Sequence, residues 1–158
     1  MRLKKKVIGN KYFTELVDIT DPCYDRDTWC RMNGVKIKPG NYKCIVWMRP
    51  DKFVHEGKTY DDTRVAIIGI YLDGNIPYAN EMEEIGEIGV DAGLAGFFNN
   101  KPDYDDDEWS AFCDSIHDGD AWIKDGGFFS SSGYGDGCYS VRACKVNDEI
   151  VALEIRFI

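Results

Sequence analysis

The stretch Val65-Ala66-Ile67-Ile68-Gly69-Ile70-Tyr71-Leu72 is apolar at nearly every position. A half-exposed strand alternates polar with apolar residues, and a run this short, closed by Asp73-Gly74-Asn75, does not make a helix. It reads as a central strand covered on both faces. Such a strand needs neighbours on both sides and a layer above and below.

Working outward, the neighbours can be found. Residues 42–48 (YKCIVWM) read as a strand after the turn Pro39-Gly40-Asn41. Near the C-terminus Val151, Leu153, Ile155 and Phe157 alternate with Ala152, Glu154 and Arg156, which is the period of a strand with one buried face. Asn147-Asp148 is a hairpin turn joining it to a strand over residues 138–146. Residues 12–19 read as a strand ending at Thr20-Asp21-Pro22, because proline cannot donate to a ladder. Residues 84–90 are a weaker strand, with Ile85, Ile88 and Val90 as its apolar members.

Two segments read as helices. One covers residues 24–32, with Asp25 and Asp27 near its start and Asn33-Gly34 as its stop. The other covers residues 105–116. There Asp105 and Glu108 form a capping box, Trp109, Phe112, Cys113 and Ile116 share a face, and Gly119 caps the end. Residues 58–64 read as a polar loop and residues 91–96 as a small-residue loop. The fold class is therefore α+β: a mostly antiparallel, curved β-sheet or two-layer β-sandwich carrying one or two short helices, with residues 1–158 as a single domain.

Bulk composition narrows the partners. The chain has 158 residues, 44% of them hydrophobic, enough for a core without a disulfide or metal staple. Its net charge of -9 argues against a nucleic-acid polymer and against an anionic membrane surface, both of which need lysine and arginine. None of the six cysteines forms a CxxC pair, and no long apolar run follows the basic residues of the N-terminus. The expectation is a cytoplasmic protein with reduced thiols.

No motif assigns a catalytic residue, a metal ligand or a cofactor. The strongest site candidate is the turn at residues 130–137, in which Ser131, Ser132, Gly133, Tyr134 and Asp136 stand out. Alternate glycines free the backbone, while hydroxyls and a carboxylate supply donors and acceptors. The spacing does not match G-x-S-x-G, so it is no nucleophile elbow. A wide hairpin needing glycine for its geometry is the competing account. The second candidate is the loop carrying Asp91 and Gly93, which lacks the features of a phosphate-binding or dinucleotide motif. The third is the segment with Asp18, Asp21 and Tyr24, followed by Trp29; turn and capping duty is its plainer reading. The acidic run Asp103, Asp105, Asp106, Asp107, Glu108 imitates a calcium loop but has Glu108 where the turn glycine belongs. A solvated helix N-terminus accounts for it better.

Three segments, Val17-Asp18-Ile19-Thr20-Asp21-Pro22-Cys23-Tyr24, Gly89-Val90-Asp91-Ala92-Gly93-Leu94-Ala95-Gly96 and Ser131-Ser132-Gly133-Tyr134-Gly135-Asp136-Gly137, occur in this order over nearly the whole chain. In that combination the chain resembles a bacterial and phage family of domains of unknown function with a terminal S-S-G-Y-G-D-G turn. The resemblance implies one folded unit in a bacterial host cell and supports the choice of loops. It implies no reaction.

Three functional classes follow. The first is a non-catalytic small-ligand binding protein, such as a phage-type protein that sequesters a nucleotide or blocks a host defence. An anionic ligand would need local cations, for which Arg26, Arg31, Arg142 and Lys145 are the candidates. The second is a metal-dependent hydrolase using Asp18, Asp91 and Asp136. The third is an acidic protein–protein inhibitor resembling an immunity protein. The expected partner is a small polar molecule or a nucleotide, with room for a homo-oligomer. All the site candidates share one demand: the three loops must meet in space.

Overall fold

A computed structural model describes residues 2–158. Its strands are β1 (Lys4–Phe13), β2 (Leu16–Thr20), β3 (Met32–Lys36), β4 (Gly40–Arg49), β5 (Lys52–His55), β6 (Lys58–Asp61), β7 (Arg64–Leu72), β8 (Glu83–Val90), β9 (Leu94–Asn99), β10 (Ala121–Lys124), β11 (Gly127–Ser131), β12 (Gly137–Val146) and β13 (Glu149–Arg156). The α-helix is α1 (Asp106–Ser115), and a short 3-10 turn spans Ala79–Glu81. All strand pairs are antiparallel.

The strands form two large sheets, ordered β1-β4-β7-β13-β12-β8 and β10-β11-β9-β2-β3, plus the separate hairpin β5-β6. The fold is α+β with a mostly antiparallel, two-sheet architecture. The main core lies between the sheets: Val46, Ile68, Ile70, Val141, Leu153 and Ile155 from one face, Val17, Ile19, Phe97 and Phe128 from the other. β7 is the interior strand its composition requires. Its second face is covered too: Tyr71 packs with Ile45, Met82, Cys144 and Ala152 on the outside of the larger sheet. On the outside of the smaller sheet, α1 lays Phe112 against Phe98 and Phe129, with Trp109, Tyr104 and Trp122 around them. The sandwich closes at both edges, where β1 meets β10 and β8 meets β3.

The capping box of α1 forms as its sequence requires: Asp105 accepts the Glu108 N–H at 2.8 Å, and the Glu108 carboxylate accepts the Asp105 N–H at 3.2 Å. Cys113 does not join the buried face and is exposed; Phe112 is buried there, with Trp109 and Ile116 packed beside it. Ile116, in extended conformation, is the C-cap; Gly119 lies beyond it.

Other expectations need correction. Residues 24–32 form no helix. Successive turns, closed by Thr28 N–H to Asp25 O and Arg31 N–H to Thr28 O, satisfy their backbone instead. Aspartate and threonine compete for these N–H groups and favour turns. The strand expected over residues 12–19 is split at Thr14-Glu15 between β1 and β2, which belong to different sheets. β1 itself begins in Lys4-Lys5-Lys6, a run without periodicity and therefore invisible as a strand. Within residues 58–64, polar as they are, Lys58–Asp61 is a strand, because it pairs with β5 as an exposed hairpin. Of residues 91–96, Leu94 onward is already β9. A bulge at Cys144/Lys145 shifts the phase of β13, so Ile150 turns to the main core and Val151 to the outer cluster. From Leu153 to Phe157 the alternation holds.

Candidate functional site

The antiparallel registers put the C-terminal ends of β2, β8 and β11 and the N-terminal ends of β9 and β12 at one end of the sandwich. The three segments singled out by composition are the connections at that end, and they touch. Asp21 is the knot. Its carboxylate accepts N–H groups from Asp91 at 2.8 Å, Ala92 at 2.6 Å and Cys23 at 2.8 Å. The Ser132 N–H donates to Gly93 O at 3.0 Å, which ties the third segment to the second.

Asp18 is a second buried carboxylate, on the outer face of β2. It accepts from Gly34 N–H at 2.9 Å and Lys101 N–H at 3.0 Å, and Arg26 and Arg31 lie 3.2 and 3.5 Å from it. The Tyr24 carbonyl takes Arg31 Nη1 at 2.8 Å and Lys101 Nζ at 3.4 Å. Burial lowers the pKa of Arg31 and of Lys101, and the pair is tolerated because carboxylate and carbonyl oxygens meet it. This network fixes the segment between β2 and β3 against the smaller sheet. Burial also raises the Tyr24 hydroxyl, with Cys30 adding to it. It pushes the Cys23 thiol up to about 12, Asp21 adding to the effect. Neither is a poised nucleophile.

The turn at residues 130–137 spends its polar groups on itself. Ser130 Oγ donates to Ser131 O, Ser132 Oγ to Gly135 O at 2.8 Å, and Ser131 Oγ to Asp120 O at 3.4 Å. Gly133 has φ +67°, and a Cβ there would lie 3.1 Å from Phe157 Cβ and 3.2 Å from Val65 O. Geometry alone demands that glycine. What the knot leaves exposed is Trp29 at 90%, Tyr134 at 58%, Asp91 and Asp136. Arg64 lies over the Tyr134 ring at 4.6 Å and donates to Gly133 O at 3.0 Å.

The structure thus brings together Asp21, Asp91, Gly93, Ser131, Ser132 and Gly133. It places Arg142 elsewhere, on the outer face of β12, donating to Met82 O at 2.9 Å. Arg26 and Arg31 serve Asp18, and Lys145 lies at the opposite end beside Asp148 and Glu149. Asp18, Asp91 and Asp136 do not converge: no group of three His, Cys, Asp or Glu residues able to hold a metal exists among the described residues.

The concavity at this end lies beside the turn and was not legible in the sequence. Two cavities of about 530 and 780 Å³ share Lys4, Pro50, Asp61 and Thr63 and run between the start of β1 and the base of the β5-β6 hairpin. Lys5, Lys6, Met48 and Asp120 line one; Asp51, Lys52 and Thr59 line the other. Asp120 O also accepts the Ser131 N–H at 3.0 Å, so the cleft adjoins the 130–137 turn. The signal available in sequence was the Lys4–Lys6 run in an acidic chain.

No protein-family model, curated protein or solved structure matches the chain. Among the described residues no helix is long and apolar enough to cross a membrane.

Proposed function

We propose that this chain is a non-catalytic binding protein for a small polar ligand, seated in the cleft between β1 and the β5-β6 hairpin, beside the 130–137 turn. One observation carries the reading: the two joined cavities are of ligand size and adjoin the 130–137 turn through Asp120. The knot supplies rigidity, since its buried polar groups are already partnered. Sequestration rather than conversion fits a site whose neighbouring carboxylates, hydroxyls and thiol are occupied or protonated.

The test is retention. Incubate the protein with a mixture of nucleotides and other small polar metabolites, remove the excess, denature it and identify what is released. An intact compound whose binding shifts amide signals in residues 4–6, 50–63 and 131–136 supports the reading. A converted product, or no retained compound, sinks it.

Trp29 favours a second reading, an acidic surface for a basic protein. Its segment bonds to the acidic start of α1 through Arg26 N–H to Asp103 Oδ1 at 2.7 Å. An exposed indole in a segment that also carries the exposed Asp25 and Asp27 suits a lysine or arginine side chain. A cationic peptide that fails to quench Trp29 fluorescence in low salt removes this alternative.

A further inference from the structure

Charge is strongly segregated along the chain. Segments 2–6 and 49–64 hold eight of the 19 lysines and arginines but only four of the 28 carboxylates. The remaining sequence therefore carries 11 cations against 24 carboxylates. The two basic segments are the two walls of the cleft.

The registers aim their side chains. Lys4 and Lys6 stand opposite Met48 and Val46, which belong to the main core, so both lysines share the inward face of β1. Lys5 stands opposite Trp47 on the outward face. In the hairpin, Lys52 pairs with Asp61 and Val54 with Thr59, and Lys52, Thr59 and Asp61 line the cleft. Lys52 therefore shares one cavity with Lys4, and Lys4 shares the other with Lys6.

Four lysines and three aspartates line the cleft, so the carboxylates offset part of this charge and leave a small positive excess. Asp61 Oδ1 accepts both the N–H and the hydroxyl of Thr63. Those hydrogen bonds, with Lys52 and Lys4 behind them, hold its carboxyl below the usual range. Asp51 Oδ1 accepts the Lys52 N–H at 2.8 Å. Asp120 lies 3.7 Å from Lys6. Lys4 and Lys52 form no ion pair within 4.0 Å among the described residues.

We propose that the cleft takes an organic phosphate, a phosphate ester or diphosphate, with Lys4, Lys6 and Lys52 as its countercharge and Thr59 as a hydroxyl donor. The proposal rests on the cleft being the binding site and names its ligand class. Lysine binds phosphate as a point charge and needs no fixed fork geometry, which suits three flexible ammonium groups around an open space. The joined volume exceeds one phosphate group, so an organic body accompanies it. The acidic remainder of the surface would direct an anion to this one region.

Inorganic pyrophosphate is the probe, titrated calorimetrically in low and in moderate salt with amide shifts followed in parallel. Saturable binding that weakens with salt and shifts residues 4–6, 52 and 59 is expected. Lys4→Glu and Lys52→Glu are each expected to weaken it by about tenfold or more, whereas Lys11→Glu, toward the far end of β1, leaves it unchanged. Pyrophosphate binding unaffected by the two cleft variants overturns the proposal. If neutral metabolites occupy the cleft and pyrophosphate does not, the ligand class is overturned and the binding reading stands. If nothing occupies the cleft, both fall, and Lys4–Lys6 serve only to keep an edge strand from pairing with other chains.

Discussion

The knotted loops around Asp21 and the cleft under the β5-β6 hairpin are neighbours built on opposite principles. In the knot the buried carboxylates and serine hydroxyls are answered: three N–H groups on Asp21, two N–H groups and two guanidinium groups on Asp18, and serine hydroxyls on carbonyls of their own turn. In the cleft Lys4 and Lys52 form no ion pair within 4.0 Å among the described residues, and all eight strand residues of the hairpin are exposed. Unusual residues in a sequence are as often the cost of a difficult backbone as the mark of a ligand. Here the residues that stand out make the scaffold, and plainer ones are left free to bind.

Thiol chemistry gives the largest contrast. Below its pKa a thiol reacts slowly, and Cys23 is held near 12 while Cys138 is exposed. At pH 9 an ordinary cysteine is about half ionised or more, so Cys23 is expected to alkylate with iodoacetamide on the order of a hundredfold or more slowly than an ordinary exposed thiol. Peptide mass mapping over time reads this directly, and equal rates for Cys23 and Cys138 would break the distinction between closed knot and open surface. The sign for stability follows. The folded state keeps the Cys23 proton longer than the unfolded chain, so its contribution is complete below about pH 9 and is lost as pH rises toward 12.

Asp21→Ala comes next. It strands three part-buried N–H groups that now meet a fully buried carboxylate, and a loss of about 3 kcal/mol in urea unfolding is expected. A loss under 1 kcal/mol, an order-of-magnitude threshold, would mean that water reaches the knot. Gly133→Ala is expected to cost about 1–2 kcal/mol, because its φ of +67° and its contacts with Phe157 and Val65 both resist a side chain. A neutral result would reopen the turn as something other than a geometric device. The smallest effect belongs to Val54→Thr, at the exposed end of the hairpin, where a change within about 0.5 kcal/mol is expected. A clear destabilisation there would show that the hairpin supports the sandwich after all.

Much of the fold was legible because it rests on periodicity and turn chemistry. The unbroken apolar run of β7, the alternation of Leu153, Ile155 and Phe157, the Asn147-Asp148 turn with both residues at positive φ, and the Asp105–Glu108 box each state one local structure. What escaped was set by distant contacts. The helix expected over residues 24–32 loses to turns that let Arg31 and Tyr24 meet Asp18 and Lys101. β1 has no pattern of its own, and β4 supplies its partners. The site was half legible. Glycine and aspartate located the three connections and their meeting place, but a carboxylate that binds a ligand and one that binds backbone N–H groups are spelled alike. The lysines of the cleft acquire direction only once register is known.

The base of the β5-β6 hairpin is closed by Asp62 N–H to Asp51 O at 2.8 Å. The ten residues between leave the sandwich and return to almost the same point. The tip at Glu56-Gly57, both at positive φ and exposed, is therefore a natural place to open the chain. New termini there would leave every strand of the two large sheets uninterrupted. A circular permutant or a grafted reporter at that tip would report on the cleft without burdening the core.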